Sequence, residues 1–182
     1  MNRIADHWWM FLARALTSFA FALLLLLGPG WSSIATLAVA FGIWAVVDGA
    51  GSLSFVVGVP GLRITTYVLR GVLGIGLGAL VLIVPSLSAT ALYVIVGTWA
   101  IGTGALEMAF GSRTWSVLPR ALGFMLVGGQ SVAFGLSVVH VPNESVAMLR
   151  GFLVAFAVVN GICALVMGES LHAAGTRRLA TH

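Results

Sequence analysis

The chain has 182 residues, 60% of them hydrophobic and only 8% charged, with a mean hydropathy of +1.09. Soluble domains carry roughly 25% charged residues, so this composition excludes a soluble globular domain and selects the membrane class. Nine arginines, no lysine and five acids leave a formal charge of +4; the arginines sit at the ends of apolar segments, where they set topology rather than bind nucleic acid.

Six apolar segments follow one another, each long enough for the ~20 helical residues that cross about 30 Å of hydrocarbon. They are expected near 9–28, 33–57, 64–84, 88–110, 117–139 and 146–168. The first is read as a retained helix, because Arg14 interrupts what would be the apolar core of a signal peptide and no short polar cleavage region follows. The second carries Asp48. The third has Arg70 near its start and a stripe of Gly71, Gly74 and Gly78, a pattern that permits close helix packing within the chain or between copies in a homo-oligomer. The fourth holds Thr103 and Glu107. The fifth contains Gly128-Gly129-Gln130, and beyond the sixth the tail 169–182 is expected to be one short helix or unstructured. All segments are continuously apolar rather than alternating, which favours helices over a barrel.

Arg3, Arg14, Arg63, Arg70, Arg113, Arg120, Arg177 and Arg178 fall on or near the side that holds both termini, and Arg150 falls near the other. By the positive-inside rule both termini are expected in the cytoplasm, in the inner membrane of a bacterium.

The segments repeat in pairs. Arg14 precedes Pro29 by fifteen positions and Arg70 precedes Pro85 by fifteen. GIWAVVDGAGSL (42–53) aligns with GTWAIGTGALEM (97–108), and FAVVNGICAL (156–165) is a fainter third copy. Trp44, Trp99 and Phe156 thus share one position, and Asp48, Thr103 and Asn160 another. The expected fold is an all-α polytopic bundle of six transmembrane helices. It forms one membrane domain over 1–182, built from three tandem two-helix hairpins near 9–57, 64–110 and 117–168. Such parallel repeats are related by an axis along the membrane normal. The third copy is degenerate, with Arg120 twenty-two positions before Pro142.

Leu69-Arg70-Gly71, Pro85 and Val47-Asp48-Gly49 give the chain its likeness to a known family: it resembles the HdeD-like acid-resistance membrane proteins, built from a short repeat of unknown function. Arg14 is followed by Ala15, and Thr103 and Asn160 replace the aspartate, so those positions depart from the pattern. The resemblance covers nearly the whole chain and implies a part in surviving acid, without a biochemical mechanism.

Three sets of polar residues bear on function. Arg14, Arg70 and Arg120 lie within about two turns of the inner end, where an arginine stem can snorkel to the headgroups. The alternative is that they turn inward, Arg14 to Asp48 and Arg70 to Glu107, since a charge at membrane depth costs about 3 kcal/mol and seeks a partner. Thr103 and Asn160, with Trp44 and Trp99 one turn outward, would form a pore layer if they converge on the axis; otherwise small polar groups bond to helix backbones. His140 and Glu144, in the outer loop beside Arg150, are residue types that change charge on acidification and form a candidate pH-sensing loop.

Catalytic and cofactor signatures are missing. Gly168-Glu169-Ser170 with His172 lacks the strand-turn-helix context of a nucleophile elbow, Cys163 is single, and no cofactor or metal is expected. The protein therefore reads as a non-enzymatic structural or interaction protein of the lipid bilayer. The alternative is a small channel or transporter for a neutral solute or protons.

Overall fold

The computed structural model describes residues 8–28, 33–56, 63–84, 87–114, 121–140 and 145–179. They form six helices: α1 (Trp8–Leu27), α2 (Ile34–Val56), α3 (Arg63–Ile83), α4 (Ala89–Thr114), α5 (Ala121–Val139) and α6 (Val146–Leu179). All six are long and apolar enough to cross a membrane. Two ends run further than the hydropathy suggests. α4 continues to Thr114, and α6 passes through Glu169 to Leu179 as one helix, so the tail is not a separate element there. Its sequence GESLHAAGTRRL contains no proline to stop it. Trp8 of α1 lies against His172 of α6, with ring centroids 4.3 Å apart and planes tilted by 46°, so the start of α1 and the last turns of α6 share one end of the bundle.

The sequence repeat pairs α1 with α2, α3 with α4 and α5 with α6, but the closest packing joins successive repeats: α2 with α3, α4 with α5, and α6 with α1. Glycines make the first two contacts. A Cβ on Gly49 would lie 2.8 Å from the Gly71 carbonyl oxygen, and one on Gly78 would lie 2.8 Å from that of Gly42. In α4 and α5 a Cβ on Gly104 would lie 2.6 Å from the Gly128 oxygen, and one on Gly135 would lie 2.6 Å from that of Gly97. Backbones this close leave no room for a methyl group, and dispersion between tightly apposed helices takes the place of the hydrophobic effect in lipid. The Gly71–Gly78 stripe is therefore filled from within the chain by α2.

These contacts also fix the register of the repeats. Gly49–Gly71 corresponds to Gly104–Gly128, so Arg70, one residue before Gly71, corresponds to Val127, one residue before Gly128. Pro142 follows Val127 by fifteen positions, the Arg70-to-Pro85 distance. Arg120, the third arginine of the repeat by sequence, lies seven residues earlier and outside the described residues. The third repeat has an apolar residue where the other two have a guanidinium.

Along the axis the core is layered. Nearest the chain ends, Phe11, Phe55, Tyr67, Phe110 and Phe124 form a closed ring of aromatic contacts with centroids 4.4 to 5.8 Å apart, and Met167 joins the cluster. One turn further lie the charged residues. Beyond them comes the Trp44, Trp99 and Phe156 layer, which merges into the large apolar core around Phe41, Leu92, Tyr93 and Leu153. Charges thus occupy a stratum between two aromatic floors.

Candidate functional site: a buried charge quartet

Arg14 of α1, Asp48 of α2, Arg70 of α3 and Glu107 of α4 meet in one cluster. Arg70 Nη1 donates to Glu107 Oε2 at 2.5 Å, and its Nη2 donates to Asp48 Oδ2 at 2.9 Å. Arg14 Nη1 donates to Glu107 Oε1 at 2.9 Å, and its Nε lies 3.4 Å from Asp48 Oδ1. Each arginine faces both acids and each acid both arginines, so the four charges alternate and sum to zero. The Arg70, Glu107 and Asp48 side chains are only 4%, 3% and 6% exposed; that of Arg14 is 17% exposed. Neither arginine reaches out to the headgroups. The reason is energetic: each isolated charge at this depth costs about 3 kcal/mol, whereas charge-assisted hydrogen bonds in a dry site are the strongest available to a side chain.

The pairing expected from sequence is one pair per hairpin. Arg14–Asp48 and Arg70–Glu107 are both present, but the shorter contact of Arg14 crosses from the first repeat to the second. The two acids are also not equivalent by register. Asp48 corresponds to Thr103 and Asn160, while Glu107 corresponds to Ser52 and Ala164. The repeat thus conceals how the second acid completes the cluster. In the third repeat arginine and acid are lost together, as Val127 and Ala164, both buried, and neutrality is kept.

Asn160 extends the network. Its Oδ1 accepts from Arg14 Nη2 at 3.1 Å, and its Nδ2 donates to Ser18 Oγ at 3.0 Å. Thr103, at the matching position, instead donates to the Trp99 carbonyl at 2.7 Å within its own helix. Of the candidate pore layer, therefore, Asn160 belongs to the charge network and Thr103 caps a backbone oxygen. Trp44, Trp99 and Phe156 converge: their ring centroids form a triangle with sides of 5.1, 5.8 and 6.0 Å, and all three are buried. Phe21 stacks on Trp44 at 4.5 Å and Phe134 on Phe156 at 4.4 Å, so the triangle is braced from outside. A triangle of touching rings leaves no passage along the axis.

The quartet is reached sideways. A cleft of about 260 Å³ opens between α1 and α2, lined by residues from Trp9 to Thr17 and from Val47 to Phe55 and by Tyr67, with Arg14 and Asp48 among its walls. It exists because α1 and α2 pack loosely along their length, whereas α2 and α3 are drawn together by glycine.

At the opposite end of the bundle, Arg150 Nε donates to the Leu25 carbonyl at 2.7 Å and its Nη2 to that of Leu26 at 3.0 Å. It caps the last turn of α1, where unpaired carbonyls and the helix dipole favour a cation. Sequence reasoning placed Arg150 only by topology. His140 ends α5 with Nδ1 2.7 Å from the Leu136 carbonyl, exposed on its own helix; Glu144 and Arg120 lie outside the described residues. No group of three metal-ligating side chains occurs among the described residues.

Fold and site together define a polytopic integral membrane protein with a neutral buried ion cluster. Residues 69–140 match the model of a family described as a short repeat of unknown function (DUF308). That stretch carries Arg70 and Glu107 but not Arg14 or Asp48. No curated protein and no solved structure matches the chain.

Proposed function

We propose that the protein is a closed, non-enzymatic membrane body of the bacterial inner membrane, with both termini cytoplasmic, that supports survival in acid by structural or interaction roles rather than by conduction. The Trp44–Trp99–Phe156 triangle carries this reading, because it blocks the axis where a pathway between the repeats would run. The arginine distribution supports the orientation, and the resemblance of the Leu69-Arg70-Gly71 and Val47-Asp48-Gly49 motifs to HdeD-like proteins supports the acid role. Self-association belongs to the same proposal. It would use open glycine positions such as Gly129 and Gly151, where a Cβ meets nothing within 4 Å.

One observation favours the alternative of a small channel or transporter: the cleft reaches Asp48 from one side of the bundle. Transport would then require the aromatic layer to part. Reconstituted liposomes with an imposed pH gradient separate the two readings. The closed body gives proton and small-solute flux no faster than protein-free vesicles, while flux that depends on Asp48 and drops in Asp48→Asn would replace this reading by transport. The acid role is checked by survival at low pH of cells with and without the protein.

A further inference from the structure

His172 lacks the setting of a catalytic base, and the fold gives it a different neighbour. Four residues before it on α6, Gly168 lets the first turn of α1 settle against the helix. A Cβ on Gly168 would lie 3.3 Å from the Trp8 carbonyl oxygen and 3.0 Å from Leu12 Cδ2. One turn further along the same face, the His172 ring meets the Trp8 indole at a centroid distance of 4.3 Å. Two successive turns of α6 thus hold the start of α1, one through backbone and one through an imidazole.

The imidazole is open to protons. His172 is exposed and follows the apolar run that ends at Gly168, and histidine is the side chain whose ordinary charge change falls between about pH 5 and 8. The charged groups around it leave room for a cation. The one charged residue of α1 is Arg14, which is committed to the quartet. The described part of α5 carries one titratable group, His140, at the opposite end of the bundle. On α6 itself Glu169, also exposed, stands three positions before His172, a spacing at which opposite charges support each other. Arg177 and Arg178 follow five and six positions on, with side chains outside the described residues.

A neutral imidazole only packs on the indole, whereas an imidazolium within about 6 Å of its centroid is attracted by the ring quadrupole. We propose that His172 is a proton-responsive clasp: when protonated, it grips Trp8 and pins the start of α1 to α6. The effect reaches the charged site, because α1 carries Arg14 and forms one wall of the cleft beside Asp48. With α1 packed loosely on α2, its hold on α6 decides how firmly that wall stands. Such a clasp belongs to the bundle itself and needs neither transport nor a role in acid survival.

Hydrogen exchange of the full-length protein in one detergent, at about pH 7.5 and about pH 5.5 and corrected for the intrinsic rate at each, reads the clasp. The informative amides are those of residues 12–16, whose helical acceptors begin at Trp8. Three variants are compared. His172→Gln keeps a polar side chain without the charge, His172→Arg holds a planar cation at both pH values, and Trp8→Leu removes the π-face. Unfolding midpoints check that each is folded. The expected result is protection that rises about two- to fivefold on acidification in the parent, the worth of an exposed cation–π contact. His172→Gln and Trp8→Leu should show no such rise, and His172→Arg should hold the acid level of protection at both pH values. Equal rises in the parent and His172→Gln overturn the proposal, because another group would then carry the response. So does a full rise in Trp8→Leu, which would assign the response to Glu169 or the headgroups rather than to the indole.

Discussion

Arg14 and Glu107 stand 93 residues apart in sequence and 2.9 Å apart in space, and their hydrogen bond ties the first helix of one repeat to the last helix of the next. With Arg70 bonded to both acids, the contact closes four helices around one neutral point. The quartet thereby does for α1 and α4 what glycine packing does for α2 and α3.

The glycine contacts predict a sharp contrast. Gly49→Ala or Gly104→Ala puts a methyl group against a backbone oxygen and should destabilise by about 1–3 kcal/mol, the usual cost of overpacking. Gly76→Ala meets nothing within 4 Å and should be neutral or stabilising by about 0.5–1 kcal/mol through helix propensity. Thermal unfolding of the three variants in one detergent checks this. Equal loss at all three would mean that the close approach is not what holds the helices.

How much of this was legible beforehand follows from what a repeat encodes. Hydropathy placed six spans, and Trp44/Trp99 with Asp48/Thr103/Asn160 revealed equivalent positions, because equivalence is a property of sequence alone. Which equivalent helices touch is a property of packing, and the sequence carries it only as the complementary stripes Gly42–Gly49 and Gly71–Gly78. In sequence Arg120 stands out as the third arginine because a charge is conspicuous, and the register-equivalent Val127 is not. Counting fifteen residues back from Pro142 would have found it. The Arg14–Glu107 contact had no sequence signal, since Glu107 aligns with Ser52 rather than with another acid.

The lost third arginine can be restored. Val127→Arg adds a fifth buried charge, leaves the cluster with a net positive charge, and should cost about 3 kcal/mol. Adding Ala164→Glu supplies the acid at the Glu107-equivalent position and should recover at least half of that loss. Unfolding midpoints of the parent, single and double variants report it. A double variant no better than Val127→Arg would show that the register equivalence does not extend to geometry.

At the far end, Arg150→Ala frees the Leu25 and Leu26 carbonyls and should lower stability by about 1 kcal/mol, the usual worth of a charged cap in the last turn. Arg150→Lys, a point charge that lacks the planar fork, should recover only part. Hydrogen exchange in the last turn of α1 gives a local readout, with faster exchange expected in Arg150→Ala. Unchanged exchange would mean that the cap is incidental.

The central claim is that the four charges act as one neutral unit. A double-mutant cycle on Asp48→Asn and Arg14→Gln, followed by unfolding in detergent, tests it most directly. Each single change leaves an uncompensated buried charge and should cost about 3–5 kcal/mol. The double variant restores neutrality, with Arg70 and Glu107 still paired, and should lose less than the sum of the singles by at least 1 kcal/mol. Strictly additive losses, or single variants as stable as the parent, would contradict the claim.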